Sequence, residues 1–186
     1  GKAIVLKNNA PIPFPHGNPV NPQTTANIMQ FRVTQPLASK DSLIPSKLSS
    51  FKSFPIKLAK KTRNHTFVET KDNYGRPKLL FNNRAWHDPA TEIVNLGDVE
   101  IWNLINPTAH THPIHLHLVL FQIVYRRPFD VKHFTKTGKV LFTGPPVSPP
   151  HNERGLKDVI STNPGEVTSI ITRFGPYTGE YMWHCH

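Results

Sequence analysis

Apolar residues fall in short runs along the chain, with polar, glycine-bearing and proline-bearing stretches between them. Runs at residues 4–6 and 28–33 come first. A denser series follows at 65–69, 78–81, 99–105, 114–125, 139–142, 158–161, 166–173 and 179–185. Turn chemistry separates several of them: Asn73-Tyr74-Gly75, Asn95-Leu96-Gly97-Asp98, Asn163-Pro164-Gly165 and Gly175-Pro176. No window sustains an apolar period of 3.6, so the runs read as strands. Frequent short strands of this kind predict an all-β fold, a sandwich or barrel. No internal repeat is present.

Three zones emerge. Residues 1–36 hold two strands and a loop rich in Pro and Asn at 8–22; residues 37–64 are basic and rich in Ser, Pro and Lys; residues 65–186 carry the strand series. Two strands cannot bury a core alone. Residues 1–36 are therefore expected to be the tail of a preceding β-domain, 37–64 a linker and 65–186 a second β-domain.

Composition narrows the class. The 186 residues are enough to bury a core without disulfide staples, and the one cysteine, Cys185, excludes an internal disulfide framework. Nineteen prolines argue against long helices. No apolar run nears the roughly 20 residues of a spanning helix, so no membrane partner is expected. Residues 1–10 show one short apolar patch and no signal-peptide pattern. The 22 Lys and Arg against 12 Asp and Glu give a net charge of +10. That charge concentrates at 40–63, a stretch nearly free of acids, which reads as a solvated linker. No nucleic-acid motif accompanies it, and no nucleic-acid partner is expected.

The chemistry lies in the histidines. Five of the eleven fall in two tight groups, His112/His115/His117 and His184/His186, the second flanking Cys185. His16, His65, His87, His133 and His151 read as packed or surface residues, and His110 lies outside the tight spacing. Burying several imidazoles on an apolar strand is costly unless each finds a partner, and a metal supplies one. Period-two alternation points His115 and His117 one way. It likewise points His184 and His186 together and Cys185 to the opposite face. A thiolate with two imidazoles is the ligand set of blue copper. His112 precedes Pro113, where the chain is expected to bend, and can reach the Cys185 site. Structural zinc fits poorly with one Cys. A Cys–His nucleophile pair is not supported, since histidines on the opposite face would not activate the thiol.

His112-Pro-Ile-His115-Leu-His117 and Gly179-Glu-Tyr-Met-Trp-His184-Cys185-His186 resemble the C-terminal copper motifs of multicopper oxidases. Stretches 27–33 (NIMQFRV), 74–77 (YGRP), 86–89 (WHDP), 126–130 (RRPFD) and 174–177 (FGPY) resemble the bacterial spore-coat laccases within that family. The resemblance implies cupredoxin-like Greek-key β-sandwich domains, three in the complete enzyme. This chain would hold the end of the second (1–36), the linker (37–64) and most of the third (65–186). It implies four coppers per complete enzyme. His112 and Cys185 would bind type 1 copper, His115 type 2, and His117, His184 and His186 the type 3 pair. His184, Cys185 and His186 would be the catalytic triplet joining electron entry to oxygen reduction. The implied partners are dioxygen and a phenolic or aromatic reducing substrate, and the implied location is the spore coat. In relatives, segments beyond the equivalents of 1 and 186 supply the remaining ligands, a second type 1 histidine and an axial methionine among them. The chain is therefore expected to be a fragment, inactive by itself. The loop at 8–22, where relatives of this type can carry a disulfide cysteine, is a departure from the pattern. A non-catalytic electron-transfer or copper-holding cupredoxin is the alternative from a different class, and a bilirubin oxidase the alternative within this one.

Overall fold

The computed structural model describes residues 1–36, 43–46, 50 and 52–186. They form two units, Gly1–Ser50 and Phe51–His186. Part of the expected basic linker, Lys40 and Lys47 included, lies outside the described residues.

In the first unit, β1 (Ala3–Lys7) pairs antiparallel with β2 (Asn27–Arg32), with Val5 opposite Gln30 and Leu6 opposite Met29. Every residue of both strands is exposed, Ile4, Leu6, Ile28 and Phe31 among them. A two-stranded ribbon has no second layer against which to bury its apolar side chains.

The second unit opens with a 3₁₀ turn, Ile56–Leu58, and then β3 (Ala59–Lys71). β3 starts six residues before the strand expected at 65. Its extra length comes from parallel pairing with β5 (Val99–Ile105), Arg63 opposite Trp102 and Thr66 opposite Ile105. The polar pattern of 59–64 resembles a linker because the partner strand is distant in sequence. β4 (Pro77–Phe81) returns along the outer side of β3. The apolar run at 114–125 divides into β6 (His112–Leu116) and β7 (Phe121–Pro128). Leu118 sits between them at φ 70°, a left-handed conformation uncommon for a bulky residue, and the chain turns there.

A short helix, α1 (Val131–Thr137), follows β7. Asp130 caps it by accepting the His133 N–H at 2.9 Å, and Gly138 ends it in the left-handed region at φ 69°. Seven residues are too few to display a helical period. The strand expected at 139–142 reduces to a single bridge between Phe142 and Phe129. β8 (Val159–Thr162), β9 (Glu166–Arg173) and β10 (Trp183–Cys185) complete the fold.

The strands of the second unit form two sheets, ordered β4-β3-β5-β9-β7 and β10-β6-β8. One core joins them: Phe67, Trp102, Leu104, Ile123 and Ile170 from the first meet Ile114, Leu116 and Ile160 from the second. Leu104, Ile114, Phe121 and Ile170 are wholly enclosed. Each such side chain stabilises the fold by about 2 kcal/mol through removal from water. A smaller cluster of Ile105, Phe129 and Val167 is covered by Val131 and Phe134 of α1.

Two polar groups are built into this core. The Arg63 guanidinium forks onto the Glu100 carboxylate at 2.6 and 3.0 Å, and Glu100 also accepts the Trp102 indole N–H at 2.9 Å. Their side chains are only 12 and 4% exposed. His65 lies against Trp102 and Trp183, with ring centroids 4.5 and 4.8 Å away. Asn82 accepts the Thr66 N–H through Oδ1 and so meets His65 Nδ1 with its amide nitrogen, at 3.3 Å. Nδ1 therefore accepts, and Nε2 carries the ring proton, buried without a polar partner. Burial holds this imidazole down at about 4; Glu92 and Glu100 oppose the shift and Arg63 assists it.

Two stability changes follow. Glu100→Ala strands the Arg63 guanidinium in the sheet, and urea unfolding should show a loss of about 3 kcal/mol. His65 is neutral in the folded chain down to about pH 4, whereas the unfolded chain takes up its proton near 6.5. Stability from this group is complete above pH 6.5 and falls by about 3 kcal/mol as the pH drops to about 4. His65→Phe should flatten that part of the stability–pH curve. A slope equal to wild type between pH 6.5 and 4 would contradict this.

Candidate metal centre

Strand alternation and one antiparallel register sort the histidines. In β6, His112, Ile114 and Leu116 are buried, while His115 turns to the other face; His117 follows it. β10 lies alongside with Trp183 opposite Leu116, His184 opposite His115 and Cys185 opposite Ile114. Directly opposed residues share a face. Cys185 thus joins His112 on the core side, and His184 joins His115 and His117 on the outer side. The bend expected at Pro113 does not occur. His112 and Pro113 pair regularly with Thr162 and Ser161 of β8, and plain alternation carries His112 to the face of Cys185.

On the core side, Cys185 Sγ lies 3.5 Å from His112 Nδ1. The hydrogen bonds behind His112 define its tautomer. Asn106 donates through Nδ2 to the carbonyls of His110 and Thr162, at 2.8 and 2.9 Å, so its Oδ1 is an acceptor. The Thr108 hydroxyl donates to that oxygen at 2.7 Å and has a lone pair left for His112 Nε2, 2.8 Å away. Nε2 therefore carries the proton, and the Nδ1 lone pair faces the sulfur. Glu69 Oε1 stands 3.3 Å from the same Nε2 and 3.0 Å from His110 Nδ1. Burial pushes the Cys185 thiol up and the His112 imidazole down, Glu69 opposing the latter shift. Both are neutral at pH 7 unless a cation draws off the thiol proton.

On the outer side, one nitrogen from each of His115, His117 and His184 falls within 4.8 Å of the others. His117 Nε2 and His184 Nε2 are 3.2 Å apart. His115 Nδ1 is 2.9 Å from the Asp158 carbonyl, which can only accept. Nδ1 is thus protonated and Nε2 keeps its lone pair, the arrangement a ligating histidine adopts. His186 stacks at the margin, its ring centroid 4.7 Å from His184 and 5.6 Å from His115.

The donor sets suit copper. Metal–sulfur and metal–nitrogen bonds of about 2.3 and about 2.0 Å at a tetrahedral angle separate S and N by about 3.5 Å, and two such nitrogens by about 3.3 Å. Thiolate plus imidazole, and imidazoles alone, are ligands for the softer and borderline transition metals. The opening between Cys185 and its histidine, and that between His117 and His184, match these spans.

Sequence reasoning passed over Glu69, Asn106 and Thr108. Glu69 reaches the site from β3, and no linear pattern connects it to β6. His110, set aside for its spacing, stands two residues from His112 and holds Glu69. His65 is a packed residue, as expected.

The multicopper oxidase family model matches residues 54–186. The chain is 51% identical to a laccase of Bacillus subtilis and 50% identical to one of Bacillus stratosphericus, in each case over 100% of its own length. It spans 36% of the length of either relative. Among solved structures, a multicopper oxidase of Aquifex aeolicus matches with a TM-score of 0.63 at 23% identity, over 98% of this chain and 37% of that one. A laccase-like multicopper oxidase of Ochrobactrum sp. also gives 0.63, at 19% identity, over 92% and 36%. The fold is the all-β, cupredoxin-like one of these proteins. With its two histidine faces and its match to the family over most of its length, the chain belongs to the multicopper oxidases.

Proposed function

We propose that this chain is the C-terminal portion of a laccase-like oxidase. Residues 1–36 would close a second cupredoxin domain, the basic stretch after them would link, and the unit that holds β3 from Ala59 onward, through His186, would form most of a third. His112 and Cys185 would hold type 1 copper, His115 type 2, and His117, His184 and His186 the type 3 pair. The remaining ligands would come from cupredoxin domains and a C-terminal segment outside these residues. The observation that carries this reading is the β6–β10 register, which divides the two motifs into a thiolate–imidazole face and an imidazole face.

Copper at these positions would supply one-electron acceptance from a phenol or aromatic amine and four-electron delivery to dioxygen. Four phenols each give up an electron and a proton, and one dioxygen with four electrons and four protons becomes two waters. The chain's part is positional. Cys185 and His184 are consecutive, so the two faces are joined by covalent bonds. Asp158 holds His115 in the ligating tautomer, and Asn106 with Thr108 does the same for His112. Ile114, Leu116 and Phe67 belong to the core against which the half-buried Cys185 packs. A spore-coat location is proposed on the resemblance to spore-coat laccases alone.

The test uses the full-length, copper-loaded protein. It should show an intense blue thiolate-to-copper band and consume one dioxygen per four phenols. Cys185→Ser should abolish the band. His117→Ala should keep the band, lower copper content and cut turnover by more than about 100-fold, since even outer partners of metal ligands cost about 10–100-fold. A blue protein that oxidises no phenol or arylamine would make the chain part of an electron carrier, and the oxidase reading would fail.

A further inference from the structure

Glu69 belongs to neither histidine motif. It lies on β3, opposite Leu79 of β4, in the other sheet from β6. Yet one of its oxygens takes two converging ring nitrogens, His110 Nδ1 at 3.0 Å and His112 Nε2 at 3.3 Å. A carboxylate only accepts, so His110 Nδ1 donates its proton to it, and His112 Nε2 lies beside the same oxygen. The His112 Nε2 proton goes to the neutral Thr108 oxygen at 2.8 Å, and the Glu69 carboxylate brings a negative charge to 3.3 Å from the same nitrogen. The His112 side chain is 9% exposed, which leaves little water to screen that charge.

The two partners of Nε2 do different things. Thr108, tied to buried Asn106, orients the ring but brings no charge. A carboxylate beside the N–H pushes electron density through the imidazole to Nδ1, the nitrogen that faces Cys185. Such a partner raises the basicity of a ligating histidine. A more basic ligand favours the higher charge state of the ion it binds. His110 is the clamp: its N–H holds Oε1 over His112, while Oε2 accepts no protein hydrogen bond among the described residues.

We propose that Glu69 is a positioning residue that acts through His112 to lower the reduction potential of the thiolate–imidazole copper, with His110 holding it in place. The inference rests on the copper reading of His112 and Cys185 above. It concerns residues outside both motifs and assigns them a separate role. Because Thr108 keeps the ring oriented, Glu69→Gln should preserve the fold while removing the charge.

Two readouts on the full-length protein separate this from a structural role. In the copper-free protein with nitrogen-15-labelled histidine, the His112 Nε2 proton resonance, assigned by its loss in His112→Gln, should move upfield in Glu69→Gln as the negative charge that polarises the N–H is removed. In the copper-loaded protein, redox titration of the blue band should show the preference for cupric over cuprous ion falling about tenfold. That is about 59 mV more positive for one electron. His110→Ala should shift both readouts in the same direction by a smaller amount. An unshifted resonance and an unchanged potential in Glu69→Gln would overturn the proposal, even if the variant were less stable. Should the wild type bind no blue copper, the copper reading itself fails, and the resonance alone decides whether Glu69 acts on His112.

Discussion

The antiparallel register between β6 and β10 is the constraint on which the site depends. Three residue pairs, Trp183 with Leu116, His184 with His115 and Cys185 with Ile114, determine which imidazole meets which donor. A slip of one residue would invert the faces of a strand. Cys185 would then oppose Pro113 or His115, and the sulfur face and the imidazole face would no longer be separate. The core guards against such a slip. Trp183 packs on Phe81, Trp102 and His65, and Ile114 is wholly enclosed, so shifting β10 would expose an indole and crowd a close-packed layer.

The polar groups around this core support the same geometry from behind. The Thr162 hydroxyl donates to the His112 carbonyl at 2.7 Å, and Asn106 spans the carbonyls of His110 and Thr162. Together they tie the start of β6 to β8. Arg63, Glu100 and Trp102 form a second buried set in the larger sheet, and His65 fills the space between Trp102 and Trp183. Arg63, Glu100 and Trp102 each need the others, because an unpaired polar group in this setting is costly. The result is a thiol–imidazole pair packed against the core, with the imidazole cluster on the neighbouring residues of the same strands.

The fold was legible in the chain to the extent that its elements are local. β5 and β9 coincide with their apolar runs, at 99–105 and 166–173, because both are central strands whose side chains are mostly buried. α1 was not legible from periodicity, although Asp130 and Gly138 mark its ends. The early start of β3 was hidden for a different reason. Its residues 59–64 are polar outside their partner strand, and only parallel pairing with β5 makes them a strand.

The amino-acid sequence by itself determined the inventory of the candidate site: six side chains able to ligate a metal, the alternation that sets His115 with His117 and Cys185 apart from its neighbours, and the apolar setting that makes a metal a suitable partner. These are consequences of chemistry and of a two-residue period, and both are local. The tertiary structure decided the pairing of one motif with the other, the straight course of β6 through Pro113, and the approach of Glu69 to His112. Those depend on strands separated by tens of residues, where contact is set by the packing of two sheets and no pattern along the chain records it.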